Sequence, residues 1–86
     1  MEDSKQPVTR EEILKTALEA RLQETMHYQI NIDNYTIALE EISALSPDER
    51  AELSGFADQL RDLLASEKIE QKKAKIMLSV IQKQLG

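Results

Sequence analysis

The stretch Ser46-Pro47-Asp48-Glu49 predicts a sharp corner followed by a new helix. A serine that precedes a helix accepts a hydrogen bond from an early backbone N–H, and a glutamate three residues later returns one to the backbone of the cap. Proline suits the first helical position because the N–H that it lacks would have no partner there. One helix should therefore end before Ser46, and another should begin at Pro47.

A long first helix is expected on the N-terminal side of this corner. Thr9 and Glu12 have the spacing of a second capping box, and residues 10–45 contain neither proline nor glycine, so we expect helix over 10–45. Residues 1–9 are mostly polar and are predicted to form a short flexible arm.

The second predicted helix runs over 47–85, with Gly86 beyond its end. Gly55 should be tolerated inside this helix at a cost of about 1 kcal/mol relative to alanine. A chain of 86 residues is long enough for one small domain, so we expect a single helical domain over 1–86.

Residues at alternating steps of four and three form a mainly apolar stripe along each predicted helix. The first stripe is Leu14, Leu18, Arg21, Thr25, Tyr28, Ile32, Tyr35, Leu39 and Ile42, and the second is Leu53, Ala57, Leu60, Leu64, Glu67, Gln71, Ala74 and Leu78. If the chain turns at Ser46, residues whose numbers add up to about 92 oppose each other, and apolar residues then meet apolar residues. The pattern predicts an all-α fold, an antiparallel hairpin of two long helices with a short N-terminal arm.

A second apolar line on each helix predicts assembly. These outer lines are Met26, Ile30 and Ile37 on the first helix, and Ala65, Ile69, Ile76 and Val80 on the second. A hairpin buries only one stripe per helix, and exposed apolar lines usually mark protein contacts. We therefore expect a helical homo-oligomer that packs through the outer lines.

The middle of the predicted seam is polar. The pairing rule places Arg21 opposite Gln71 and Thr25 opposite Glu67. Such a layer either fixes the register of the two helices, as isolated polar core residues do in coiled coils, or forms a polar pocket. Tyr28 lies next to the layer, where its ring either packs in the core or offers a stacking face to a base.

The charge is unevenly distributed along the chain. The net charge is −5, which argues against binding of duplex nucleic acid, yet residues 67–86 carry five lysines and only two acids. Lys68, Lys72, Lys73 and Lys75 surround the polar positions of the second helix, and Lys68, Lys72 and Lys75 are the candidates to bind phosphate. They form either an ordinary solvated face or the positive field of a site for an anionic ligand.

Several classes of chemistry lack their residues. The chain has no cysteine, no glycine-rich phosphate loop and no nucleophile elbow. Glu24 and His27 have the Glu-x-x-His spacing of di-iron bundles, but one histidine per chain leaves no further ligand of that kind. We expect no enzyme, no metal site and no cofactor. The sequence also shows no signal peptide and no run of roughly 18 apolar residues, so we expect a cytoplasmic protein without a membrane span.

Three short elements follow one another along the chain: Pro7-Val8-Thr9 in the arm, Arg21-Leu22-Gln23-Glu24 in the first helix and Ser46-Pro47-Asp48 at the corner. In this order, and in a chain of this size, they resemble the small phage-encoded sponge proteins that sequester cyclic oligonucleotide signals of bacterial CBASS immunity. The resemblance covers most of the chain.

The resemblance implies a non-enzymatic protein that binds cyclic di- or trinucleotides between the chains of a symmetric oligomer, in the cytoplasm of an infected host. It implies that Arg21 contacts phosphate. Lys5 stands where the family has an aromatic residue that stacks on a base, so that stacking role does not transfer. The alternative is an adaptor or regulatory module, whose outer lines bind a helix of another protein.

Overall fold

A computed structural model describes residues 8–86, which are almost entirely helical. Three helices follow in order: α1 over Arg10–Ser43, α2 over Pro47–Glu52 and α3 over Ser54–Leu85. The predicted all-α fold with two long helices is confirmed. Residues 1–7 of the predicted arm lie outside the described residues, and Thr9 has an extended backbone before α1 begins.

Both predicted capping boxes are present. The hydroxyl of Thr9 accepts a hydrogen bond from the backbone N–H of Glu12 at 3.1 Å, and the hydroxyl of Ser46 accepts one from the N–H of Glu49 at 3.3 Å. In each box the glutamate side chain also accepts a hydrogen bond from the backbone N–H of its cap. Because these groups would otherwise lack partners, the caps set where α1 and α2 begin.

The structure divides the predicted second helix into two. Leu53 has φ −100° and ψ 10°, outside helical geometry, and separates the six-residue α2 from α3. Ser54 and Gly55 follow directly, and a Gly/Ser pair is a common site of helix kinks because glycine is a weak helix former. The corner thus comprises the short connection after Ser43 and the whole of α2.

The two predicted stripes form the seam between α1 and α3. Every residue of the α1 stripe is buried or half-buried, and so is every residue of the second stripe except Leu53, which lies at the break. The stripe on α3 continues past Leu78 to the buried Ile81. The most buried apolar side chains are Ile32, Ala57, Leu60, Ala74 and Ile81.

The register of the hairpin differs from the prediction by about one helical turn. Gln71 was expected opposite Arg21, but its side-chain amide donates to the backbone carbonyl of Thr25, one turn further along α1. Glu67, expected opposite Thr25, accepts from the side chain of Asn31. The reason is the corner: α2 makes only slight contact with α1 and does not extend the seam, so the midpoint of the hairpin moves beyond Ser46 toward the C-terminus.

The molecule is one layer of helices. Its dimensions are 69 × 29 × 16 Å, so the thickness is close to that of a single helix with its side chains. The hairpin therefore has two broad faces and two edges. The outer lines lie outside the seam, as predicted, and Met26, Ile30, Ile37, Ile69 and Ile76 are each more than half exposed.

Among residues 8–86, the helices lack a stretch that is both long enough and apolar enough to cross a membrane.

Candidate functional site

A small cavity opens between α1 and α3 on one broad face. It has a volume of about 110 Å³. Its lining consists of Arg21, Glu24 and Tyr28 from α1 and Glu70, Lys73, Ala74 and Met77 from α3. We call it the Arg21 cavity, and we call the broad face on which it opens the cavity face.

Two ion pairs frame the Arg21 cavity, one on each helix. The guanidinium of Arg21 donates to Glu24 Oε1 at 3.0 Å, and Lys73 Nζ donates to Glu70 Oε2 at 2.9 Å. Both pairs join residues three apart on one helix turn, where side chains meet. The Arg21 and Glu24 side chains are 38% and 37% exposed, so solvent reaches this pair.

Tyr28 supplies the aromatic surface of the cavity. Burial, followed by the nearby carboxylates of Glu24, Glu70 and Glu67, raises the pKa of the Tyr28 phenol above its ordinary value. The phenol is therefore neutral at physiological pH and keeps its hydrogen for donation. The ring of the exposed His27 meets that of Tyr28 edge-on, with centroids 6.4 Å apart.

A polar layer lies next to the cavity, inside the seam. Gln71 is buried, and its amide donates to the carbonyl of Thr25 at 3.3 Å and to Gln29 Oε1 at 2.9 Å. The Thr25 hydroxyl donates to the Arg21 carbonyl of its own helix at 2.8 Å. Thr25 therefore offers its hydroxyl to the backbone, and its contribution to the layer is its carbonyl.

Glu67 extends the polar layer toward the corner. One of its oxygens, Oε1, accepts from Asn31 Nδ2 at 3.1 Å. The other, Oε2, is buried and has no hydrogen-bond partner among the described residues. An acidic oxygen without a partner is costly when it is removed from water.

The structure does not bring Lys68, Lys72 and Lys75 together with Arg21. Asp58 and Arg61 line a groove of about 270 Å³ that includes neither Arg21 nor any other residue of its cavity. This groove opens on the broad face opposite the cavity face, which we call the second broad face. Lys68 and Lys75 follow Arg61 at seven-residue steps, and Lys72 lies two such steps after Asp58, so all three lysines lie on the second broad face.

Lys73 is the cation of α3 that lies at the Arg21 cavity. The sequence places it among the lysines around the polar positions, but the predicted phosphate ligands were Lys68, Lys72 and Lys75. The helical repeat identifies the face on which Lys73 lies. Lys73 follows Glu70 by three residues and precedes Met77 by four, so the three side chains share one side of α3. A choice by helix face, rather than by closeness along the chain, would have found it.

The two residues of the Glu-x-x-His spacing, Glu24 and His27, lie in different surroundings. Glu24 pairs with Arg21, whereas His27 is exposed. Residues 8–86 contain no group of three or more acidic, histidine or cysteine side chains arranged to hold a metal ion.

Comparison of the chain with models of known protein families, with curated proteins and with solved structures finds no match.

Proposed function

We propose that the protein binds a cyclic di- or trinucleotide without cleaving it and thereby sequesters the signal, blocking CBASS-type immunity in the cytoplasm of a host cell. The observation that supports this most directly is the Arg21 cavity, where a guanidinium, an ammonium and a phenol ring converge from two helices. Guanidinium and ammonium groups bind phosphate, and an aromatic ring stacks on a base.

The size of the cavity indicates how such a ligand would lie. A cavity of about 110 Å³ is smaller than the roughly 300–1,000 Å³ of typical small-molecule pockets. The ligand would therefore lie across the mouth of the cavity, with its remaining surface against another copy of the chain. The proposal thus includes a homo-oligomer, as the outer lines also suggest.

The ion pairs around the cavity are weak enough to be exchanged. Arg21 and Lys73 each hold a carboxylate on their own helix turn, with both side chains of each pair more than a third exposed. Exposed pairs of this type are worth about 0–1 kcal/mol, whereas a charge-assisted hydrogen bond to phosphate is worth about 1.5–3 kcal/mol. A phosphate can therefore replace Glu24 as the partner of the guanidinium.

Lys68, Lys72 and Lys75 have a different part in this proposal. On the second broad face these lysines contribute to the positive electrostatic field around the molecule. They would contact a phosphate only if the ligand were bound to a neighbouring copy of the chain. Direct contact within one hairpin is assigned to Arg21, Lys73 and Tyr28.

A thermal-shift series with cyclic di- and trinucleotides tests the proposal. A ligand at 100 times its Kd stabilises the folded state by about 2.7 kcal/mol, so the Tm should rise by several degrees. A linear dinucleotide of the same bases is the control. The ligand should be recovered intact after heat denaturation. Calorimetry that detects no binding of any cyclic di- or trinucleotide would overturn the proposal.

The alternative function is an adaptor whose outer lines bind a helix of another protein. It is favoured by the exposure of these lines, since Ile76 is 63% exposed and Met26 is 60% exposed. An adaptor should not respond to cyclic nucleotides in the thermal-shift series.

A further inference from the structure

The two broad faces of the hairpin differ in character. Moving by seven-residue steps from the residues that line the Arg21 cavity identifies the rest of the cavity face. From Glu24 these steps reach Arg10, Ala17, Asn31 and Ala38, and from Met77 they reach Leu63 and Phe56. On α3, the same steps from Asp58 and Arg61 on the second broad face reach Lys68, Lys72 and Lys75. On α3 the cavity face is therefore the less charged of the two.

Large exposed apolar side chains form two groups on the cavity face, one on each side of the Arg21 cavity. The first group, toward the chain ends, is Ile13, Met77 and Val80, with Ala17 and Ala20 between them. The second group, toward the corner, is Phe56 and Leu63, with Ala38 beside them. All five large side chains are at least 40% exposed.

We propose that a second copy of this chain packs on the cavity face in an end-for-end, twofold arrangement and closes the Arg21 cavity. Such symmetry places the first group of one copy on the second group of the other, and the same contact forms twice. The middle of the interface then contains the two Arg21 cavities, which each copy covers for its partner. This inference needs no ligand, and it specifies the second copy against which the ligand of the proposed function would lie.

The distribution of charge selects the end-for-end orientation. Residues 40–62, around the corner, carry seven acids and two arginines. At the other end of the hairpin, residues 10–23 and 72–83 together carry seven bases and three acids. An end-for-end pair sets the acidic corner of each copy beside the basic end of the other, whereas a parallel pair sets two acidic corners together.

The area of the cavity face is sufficient for a stable dimer. The face measures up to 69 × 29 Å, and a standard interface buries about 800 Å² per partner. Half of the face, centred on the Arg21 cavity, would therefore suffice. The occupant is one layer of helices like the face itself, so the product is a four-helix bundle, in which each copy covers the seam of the other on the cavity face.

A matched pair of substitutions tests which face is the interface. Leu63 on the cavity face is 46% exposed, and Leu22 on the second broad face is 43% exposed. Leu63→Glu should halve the mass of the particle in sedimentation equilibrium, and Leu22→Glu should leave it unchanged, with circular dichroism showing equal helicity. Met77→Glu, from the other apolar group, should act as Leu63→Glu does if the latter variant loses helicity.

Single cysteines test the orientation, because the natural chain has none. The midpoint between the two apolar groups falls near Glu70 on α3, so the twofold arrangement brings Glu70 of each copy closest to Glu70 of the other. A disulfide requires Cα atoms within about 7 Å. Glu70→Cys should therefore form a cross-linked dimer in good yield, whereas Gln59→Cys and Val80→Cys, far from the midpoint, should not.

Three results would overturn the inference. The first is a monomeric wild type at about 100 μM, a range in which standard-size interfaces associate. The second is a loss of mass with Leu22→Glu equal to that with Leu63→Glu. The third is a cross-linking yield that does not peak at Glu70. A protein that dimerises in this way but binds no cyclic nucleotide would leave this inference standing and remove the proposed function.

Discussion

The burial of Gln71 and the burial of Glu67 in the polar layer have opposite effects on the stability of the hairpin. The amide of Gln71 has partners for both of its hydrogens, the carbonyl of Thr25 and Gln29 Oε1, so its burial is compensated. Glu67 has a partner for only one of its two oxygens, and Oε2 is removed from water without a donor. Gln71 therefore fixes the register of the two helices, whereas Glu67 lowers the stability of the fold.

Glu67→Gln should raise the stability of the hairpin. The amide oxygen keeps the hydrogen bond from Asn31, and a neutral NH₂ replaces the buried charged oxygen, which is cheaper to bury. We expect a gain of about 1 kcal/mol, or several degrees in Tm, in thermal unfolding followed by circular dichroism. Glu70→Gln, at an exposed ion pair, is the control and should change stability by less than about 0.5 kcal/mol. A lower Tm for Glu67→Gln would show that the charge is compensated.

The proposed function relies on the guanidinium of Arg21. Arg21→Ala should weaken binding of a cyclic dinucleotide by roughly 1.5–3 kcal/mol, about 10- to 150-fold in Kd, since it removes a charge-assisted hydrogen bond. The measurement is isothermal titration calorimetry, with helicity checked separately. Arg61→Ala is a matched control, since Arg61 also pairs with an acid three residues away but lies on the second broad face. Equal losses in both variants would assign binding to the general field and not to the cavity.

At the scale of elements, the corner determines which residues of α1 and α3 meet. A single uninterrupted second helix would begin to pair with α1 directly after Pro47. Instead α2 makes only slight contact with α1, and α3 starts at Ser54 after the break at Leu53. Each residue of α3 consequently meets α1 about one turn nearer the corner. This one-turn shift brings Gln71 to Thr25 and Gln29.

Gly55→Ala should stabilise the start of α3. A Cβ at this position would meet nothing within 4 Å, and the backbone of Gly55 is not in the left-handed region. Because alanine restricts the unfolded chain and favours helix, we expect a gain of about 0.4–1 kcal/mol in urea unfolding. The reverse exchange, Ala51→Gly in α2, should lower stability. An unchanged or lower stability for Gly55→Ala would indicate that the break needs glycine.

At the scale of the whole molecule, the hairpin leaves more large apolar side chains exposed than it buries. Within residues 8–86 five apolar residues are buried, and none of the side chains is completely enclosed, while thirteen large apolar residues are exposed. A layer one helix thick offers no second layer to cover them. The balance favours association with other chains, either copies of this one or a different partner.

Replacing Ile30 and Ile76 together with glutamate should lower the order of the homo-oligomer. Both residues are more than half exposed on the edges of the hairpin, where charge would oppose side-by-side contact without disturbing the seam. Sedimentation velocity at micromolar concentration measures the effect, and circular dichroism reports the fold. A double variant with the mass of the wild type would remove the outer lines from the assembly.

The sequence by itself determined the helices, their N-terminal caps and the stripes that form the seam. These features are local: a cap needs residues three apart, and a stripe needs only the repeat of one helix. Tertiary structure decided the register, the break at Leu53 and the face on which each cation lies. The register depends on how many residues the corner uses. Which lysine lines the Arg21 cavity depends on which sides of α1 and α3 meet, because the cavity forms only between the packed helices. That lysine is Lys73, and not Lys68, Lys72 or Lys75.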